Sequence, residues 1–374
     1  MRQIVTTANG DIDVLKVQEK PDPTPRDDEV VIRVRAAGLN FADILARQGL
    51  YPDGPPKPCV MGYEVSGVVD SVGKHVNSSF VGKSVVAMTR FGGQSEMIAV
   101  KATQMFEKPE KLTFEQAAAI PVNYLTAYAL LVVMGSLHEG ESVLIHNAGG
   151  GVGLAALDIA KKLGAVTYGT ASQGKHKFLT DRGLDHPIDY RNQDWQPQLM
   201  QLTNGHGVDL IMDPIGGAHW KKSYNALRST GRLGMFGVST ASANGISGKL
   251  KMLKAVVQMP RFHPLGLLNK NRGVFGLNLG HMWHEPEKVA LWMRDILRGV
   301  DEEWINPHVD QAFSFDDVGK AHRRLEERKN IGKVVLVPNP VNPVNPVNPE
   351  IQIGVLRERT KEPSSRSGRK AERR

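Results

Sequence analysis

At 374 residues, 41% hydrophobic and 23% charged, the chain has the balance of a soluble globular protein and room for two domains of ordinary size. Half of its net charge of +8 sits in a tail from Glu350 onward, where eight Lys and Arg face four Glu; the rest is mildly basic, and no specific nucleic-acid binding is expected. No apolar run approaches the ~20 residues that span a bilayer, and a single cysteine, Cys59, excludes an internal disulfide and any cysteine-based zinc site.

The start, Met1-Arg2-Gln3-Ile4-Val5-Thr6, is strand-like and shows neither a signal nor a transit pattern, so a cytoplasmic location is expected. As far as Val122 the chain reads as short strands (30–34, 65–69, 84–87, 96–100) broken by Gly and Pro, which predicts a compact β-barrel. Cys59 within it reads as a small buried apolar residue. The middle alternates strands (143–146, 166–170, 209–213, 232–238, 274–277) with helices (151–163, 175–182, 196–202, 220–227), the pattern of a parallel sheet covered on both faces.

Residues 239–272 are too long for a simple connection. Four readings stay open for them: a lid, a dimer contact, a membrane-touching surface, or a helix packed over the sheet edge. A helix at 286–297 leads away from the sheet, and 313–337 reads as a helix and strand that rejoin the first domain. From Pro338 the order is expected to end, because three Val-Asn-Pro repeats, Val341 to Pro349, forbid helix and sheet ladders. The polar tail behind them is too poor in apolar residues to fold. The predicted layout is therefore 1–122 completed by 301–337, then 123–300, then a disordered tail at 338–374.

The most informative stretch runs from Val143 through Ala148-Gly149-Gly150-Gly151-Val152-Gly153. It reads as a strand, a glycine turn and an amphipathic helix, whose first N–H groups can receive a pyrophosphate. The dinucleotide fingerprint is met loosely, with Ala148 in the first glycine position and Gly150 and Gly153 in the others. Past the next strand no acid appears until Asp181; the residues there are Ala171-Ser172-Gln173-Gly174-Lys175. A carboxylate at that place would hold the ribose 2′-hydroxyl of NAD. Ser172 and Lys175 suit a 2′-phosphate instead, so the expected cofactor is NADPH. The plainer reading is that Ser172 caps a helix and Lys175 is a solvated first-turn residue.

Gly62-Tyr63-Glu64-Val65-Ser66-Gly67, Asn40-Phe41-Ala42-Asp43, the glycine turn and Met212-Asp213-Pro214-Ile215-Gly216-Gly217 occur in the order of the medium-chain dehydrogenase/reductase superfamily. To about Val337 the chain resembles its zinc-free quinone oxidoreductase branch, and within it the VAT-1-like proteins. The resemblance implies an α/β protein, a GroES-like β-barrel catalytic domain beside a Rossmann-type doubly wound parallel sheet. It departs from the zinc alcohol dehydrogenases, with Gly38 and Tyr63 at the positions of the Cys and His ligands and no four-cysteine lobe, so no metal is expected. Leu45 stands where many quinone reductases carry a Tyr.

Hydride transfer from NADPH to a quinone or an α,β-unsaturated carbonyl is then the chemistry implied, in a homodimer. The resemblance places Asn40 and Tyr63 near the substrate oxygen and Tyr51 on the pocket wall. It places Thr126, Phe236-Gly237-Val238 and Phe275-Gly276-Leu277 along the nicotinamide, Tyr190 near the adenosine phosphate, and Lys333 over the cofactor. Each has an ordinary alternative: Asn40 as a helix cap, Asp43 as first-turn charge, Tyr51 as packing, and the strand ends as core. Glu64 is expected to order the hinge by pairing with an Arg or a backbone N–H. The histidines show no metal-ligand spacing. A rival function is an NADPH-binding, lipid-handling or membrane-associated module with little turnover; membrane contact is the less favoured reading.

Overall fold

Strand Ser142–Ile145 is apolar and buried, and it leads through a five-residue turn into helix Gly151–Lys162. Gly150, extended, opens the helix, and Gly164, with φ +73°, receives its end just past Lys161 and Lys162, where cations suit the helix dipole. The helix buries Leu154, Leu157 and Ile159 in a core shared with helix Pro286–Asp301. These units repeat into a six-stranded sheet, all parallel, in the order His186–Asp189, Val166–Ala171, Ser142–Ile145, Val208–Asp213, Leu227–Met235, Gly273–Gly276. The chain winds outward in both directions from Ser142–Ile145. Every strand points its carboxyl end to one edge, and a crevice opens where the winding reverses.

The other lobe is antiparallel and centred on the long strand Glu29–Leu39. Glu64–Val72 and Met97–Lys101 pair with it, and Lys333–Val337 pairs with its far end. Val309–Ser314 lies parallel to Lys333–Val337, joined through helix Val318–Glu326. A smaller sheet, Leu15–Glu19, Arg2–Thr6 and Cys59–Val60, meets the larger one at the Gln3–Ser95 bridge. Ile4, Ile32, Val65, Val85, Phe315 and Leu336 fill one core beneath both sheets. Val309–Ser314 and Lys333–Val337 thus form one end of the larger sheet of this lobe.

The structure is a computed structural model describing residues 1–241 and 245–338, and Met1 to Pro338 form one compact unit. The predicted tail lies outside the described residues, apart from Pro338. Several elements differ from expectation. Strand His186–Asp189 escapes the sequence reading because it is a short edge strand containing Pro187. The strand expected at 232–238 runs from Leu227 to Met235, leaving Phe236–Val238 as loop at the crevice. Residues 245–270 hold two helices, Gly245–Val257 and Pro264–Lys270. Cys59 is half-buried, with Sγ 3.2 Å from Lys57 Nζ, and is not the core residue expected.

Candidate functional site

The carboxyl edge of the parallel sheet gathers most of the predicted cofactor residues, because each follows a strand end. Ala148–Gly153 follow Ser142–Ile145, Ser172 and Lys175 follow Val166–Ala171, and Tyr190 follows His186–Asp189. Phe236–Val238 follow Leu227–Met235, and Phe275, Gly276 and Leu277 end or follow Gly273–Gly276. Thr126, on helix Pro121–Tyr128, is buried beside the same core.

The glycines of the turn answer to contacts. A Cβ on Gly153 would overlap the carbonyl oxygens of Asn147 and Ala148, and one on Gly151 would meet the Asn123 amide. Asn147, at φ +56°, turns the chain, and Ala148 N–H donates to Thr170 O. Gly332 N–H donates to Gly149 O at 2.9 Å, so the loop before Lys333–Val337 is seated on the glycine turn.

Beyond Ser172 lies a basic corner. Ser172 opens a short 3-10 turn, and its hydroxyl makes no cap bond, which removes the capping alternative. Lys175 Nζ donates to Arg328 O at 3.0 Å and Asn330 O at 2.5 Å, and burial lowers its pKa. Its ammonium is thereby fixed to the seam between the lobes and is no freely solvated first-turn group. Burial alone would raise the Tyr190 hydroxyl pKa, yet hydrogen bonds from Arg191 and Arg328 hold it below the usual value. Arg191 and Arg328 escape the sequence reading, since they come from separate loops with no shared motif.

The floor of the cleft is a buried polar knot. Lys333 forms an ion pair with Glu64 and donates to Asn40 Oδ1 at 2.7 Å. Asn40 Nδ2 donates to Glu64 Oε1 at 2.9 Å. Glu64 Oε2 accepts the Val122 N–H at 2.7 Å, where the chain passes to helix Pro121–Tyr128. Glu64 thus orders the hinge through a backbone N–H, as expected, and its cation is a lysine. Asn40 stands at the start of helix Phe41–Arg47 but makes no side-chain cap bond; Asp43 reaches back to the Asn40 N–H at 2.8 Å and to the Gly62 N–H at 3.1 Å. Burial pushes the Asp43 pKa up to about 7, against those two donors. Lys333, 3% exposed, is part of this floor.

Tyr63 sits above the knot, 9% exposed, with its ring 6.4 Å from Tyr51 edge-on and 5.5 Å from Phe91. Among the described residues its hydroxyl makes no hydrogen bond of ordinary geometry, and the Tyr51 hydroxyl is near enough for the two to shift one another's pKa. Burial, with the Asp43 and Tyr51 groups, pushes its pKa far up, so it remains a proton donor. Leu45, at the position in question, is buried on helix Phe41–Arg47 and offers no stacking surface.

A second buried network was not visible in the spacing. His146, Asp213 and His219 converge from two strand ends and a helix. Asp213 Oδ2 binds His219 Nδ1 at 2.6 Å and accepts from Ser223 Oγ at 2.7 Å. His146 contacts Thr170 and Ser223 hydroxyls, and Trp195 donates to His219 Nε2. Every ring nitrogen is already bonded, and burial drops the His146 pKa to about 3. The set reads as a neutral-histidine brace under the Pro214–Gly217 loop, whose Ile215 N–H is held by Asp213 Oδ1 at 2.7 Å.

Zinc does not fit the floor of the cleft. A Cβ at Gly38 would collide with the Glu64 carboxylate, so no cysteine could stand there unless Glu64 moved. Tyr63 offers no ligand nitrogen, and the charge of Glu64 is met by Lys333.

A doubly wound sheet joined to an antiparallel lobe, with a cleft between glycine turn and polar floor, defines a nucleotide-dependent oxidoreductase fold. Residues 26–110 match the alcohol dehydrogenase GroES-like domain, and 182–336 match the zinc-binding dehydrogenase family. The synaptic vesicle membrane protein VAT-1 homolog of Rattus norvegicus is 41% identical over 347 residues, covering 91% of this chain and 85% of that protein. The crystal structure of Escherichia coli quinone oxidoreductase complexed with NADPH superposes with a TM-score of 0.79 at 29% identity, covering 90% of this chain and 100% of that one. CurK enoyl reductase does so with a TM-score of 0.77 at 27% identity, covering 90% and 99%. The chain belongs to the medium-chain dehydrogenase/reductase superfamily, near the VAT-1-like proteins.

Proposed function

We propose that the protein is an NADPH-dependent, zinc-independent oxidoreductase that reduces quinones or α,β-unsaturated carbonyl compounds. The observation that carries this reading is the corner past Ser172, where Lys175, Tyr190, Arg191 and Arg328 gather. The residues that follow Val166–Ala171, up to Thr180, include no carboxylate, and Asp189, which pairs with Ala171 across the sheet, is held by the Arg191 N–H and Asn192 Nδ2. Such a corner favours a 2′-phosphate over a bare 2′-hydroxyl. Bound NADPH supplies a hydride to an electron-poor carbon.

The chain's own part is positioning and charge stabilisation. Gly149, Gly151, Val152 and Gly153 offer main-chain N–H groups at the start of helix Gly151–Lys162 to the pyrophosphate, while Gly150 gives its N–H to Asn147 O and shapes the turn. Phe236, Gly237, Val238, Phe275, Gly276, Leu277 and Thr126 form the wall for the nicotinamide. As hydride arrives, the acceptor oxygen gathers negative charge, and Tyr63 is the donor assigned to it, with Tyr51 beside it. Asn40 acts one step back, since its amide is engaged by Glu64 and Lys333.

Strand Gly273–Gly276 ends the sheet without an outer partner among the described residues, and we assign that edge to a second copy, forming a homodimer. The test is to mix protein with NADPH or NADH and a panel of quinones and 2-alkenals, following the absorbance of the reduced nicotinamide. NADPH oxidation with at least one acceptor, and weaker use of NADH, is expected. No turnover with any acceptor, a preference for NADH, or stoichiometric zinc by elemental analysis would each overturn the reading.

A further inference from the structure

We propose that Asp53, Asn278 and His281 form a clasp across the acceptor cleft and act as positioning residues for hydride transfer, holding Tyr51, and through it Tyr63, against the nicotinamide wall. The inference rests on the oxidoreductase reading above.

One jaw is a turn. Tyr51-Pro52-Asp53-Gly54 has Pro second and Gly fourth, and the Gly54 N–H donates to Tyr51 O at 3.0 Å. The proline stiffens the turn, so Tyr51 and Asp53 move as one piece. The Tyr51 ring in turn meets the Tyr63 ring edge-on at 6.4 Å.

The other jaw follows strand Gly273–Gly276. The Leu277 N–H donates to Met235 O at 2.9 Å, and Asn278 caps the 3-10 helix Leu279–His284 by accepting the Gly280 N–H on Oδ1 at 3.0 Å. That bond fixes the amide, whose Nδ2 donates to Asp53 Oδ2 at 3.1 Å. Residues three apart on a 3-10 helix lie one above the other, and His281 brings Nε2 to 2.8 Å from the same oxygen. A carboxylate only accepts, so Nε2 carries the proton. The Tyr51 hydroxyl has both the Asn278 side chain and the Tyr63 hydroxyl as neighbours, and a Cβ at Gly280 would stand 3.3 Å from it.

The clasp is built to open. The Asp53 and His281 side chains are 41 and 64% exposed, and contacts so exposed are weak enough to break in each turnover. Behind the 3-10 helix lies an apolar cavity of about 30 Å³, lined in part by Met88, Phe106, Met282 and Trp283. Flexible thioether side chains around a small void let the helix shift without a clash. The buried pair of Lys333 and Glu64 on the floor has no such freedom.

The test joins hydrogen exchange of the full chain to steady-state kinetics for Asp53→Ala, His281→Ala and His281→Gln. Asp53→Ala should speed amide exchange in residues 278–284, across the cleft, by about 5-fold, and His281→Ala should do the same in residues 50–54. With NADPH and a quinone or 2-alkenal, both alanine variants should lose about 10-fold in kcat with little change in the acceptor KM. NADPH affinity should stay at the wild-type value. His281→Gln should recover most of kcat, since its amide Nε2 donates at a similar reach.

Unchanged exchange across the cleft in Asp53→Ala would overturn the proposal. So would wild-type kcat in both alanine variants, or a His281→Gln variant as slow as His281→Ala, which would make the ring mere packing. Absence of turnover in the wild type would instead sink the oxidoreductase reading, and the exchange measurement, which needs no acceptor, would still decide whether the clasp holds the two jaws.

Discussion

Lys333 and Glu64, drawn from opposite ends of the chain, share an ion pair at the floor of the cleft, with Lys333 3% and Glu64 0% exposed. The pair links the last strand of the first lobe to the hinge, since Glu64 also holds the Val122 N–H. Removing one partner leaves an uncompensated buried charge. Lys333→Met should cost about 3–5 kcal/mol of unfolding free energy, and Lys333→Met/Glu64→Leu should recover much of it. Urea unfolding of the wild type, Lys333→Met, Glu64→Leu and the double variant checks this as a double-mutant cycle; a double variant as weak as the sum of the singles would show the pair to be uncoupled.

Tyr63 offers a separation of stability from catalysis. Its buried hydroxyl makes no hydrogen bond of ordinary geometry among the described residues and has the Tyr51 hydroxyl as neighbour, so Tyr63→Phe should change stability by no more than ~1 kcal/mol. The same change should lower kcat by about 10–100-fold, because the donor to the acceptor oxygen is lost. Steady-state kinetics beside thermal unfolding decides it, and an unchanged kcat removes Tyr63 from the chemistry.

Cofactor choice should turn on Ser172 and Arg328. Ser172→Asp places a carboxylate where strand Val166–Ala171 ends, and should lower NADPH affinity by about 100-fold while improving NADH. Arg328→Ala should lower NADPH affinity by about 10-fold and leave NADH unchanged. Fluorescence titration with both nucleotides reads each effect.

Gly153→Ala tests the turn. Its methyl would meet the Asn147 and Ala148 carbonyls, so the turn must open, costing about 1–3 kcal/mol and most of the nucleotide affinity. Gly174→Ala, with nothing near its Cβ, is the control expected to leave both unchanged.

The pH dependence has two opposing sources. Asp43 has its pKa raised to about 7 in the native protein from 3.8, so the native state binds the extra proton between those values. Its contribution to stability therefore increases as pH falls from about 7 to about 4. His146 and His322 are both lowered to about 3 from 6.5 by burial, so the unfolded chain binds their protons first and stability is lost as pH falls below 6.5. Across pH 4–6.5 these three groups leave a net loss of about one proton's worth of slope, ~1.4 kcal/mol per pH unit. Asp43→Asn should steepen that loss and His322→Gln should flatten it, as measured by denaturant unfolding along a pH series.

The glycine turn and the alternation of strand and helix were legible in the sequence because each is local. Spacing and residue type within some ten to twenty positions specify a turn that needs Gly153, or a strand that must be buried on both faces. Ser172 and the absence of an acid near it were legible for the same reason. The ion pair of Lys333 with Glu64, the meeting of Arg191 and Arg328 at Tyr190, and the His146–Asp213–His219 brace were decided only by the tertiary structure. Their members come from separate elements, and no periodicity records which loops a sheet's winding will bring side by side.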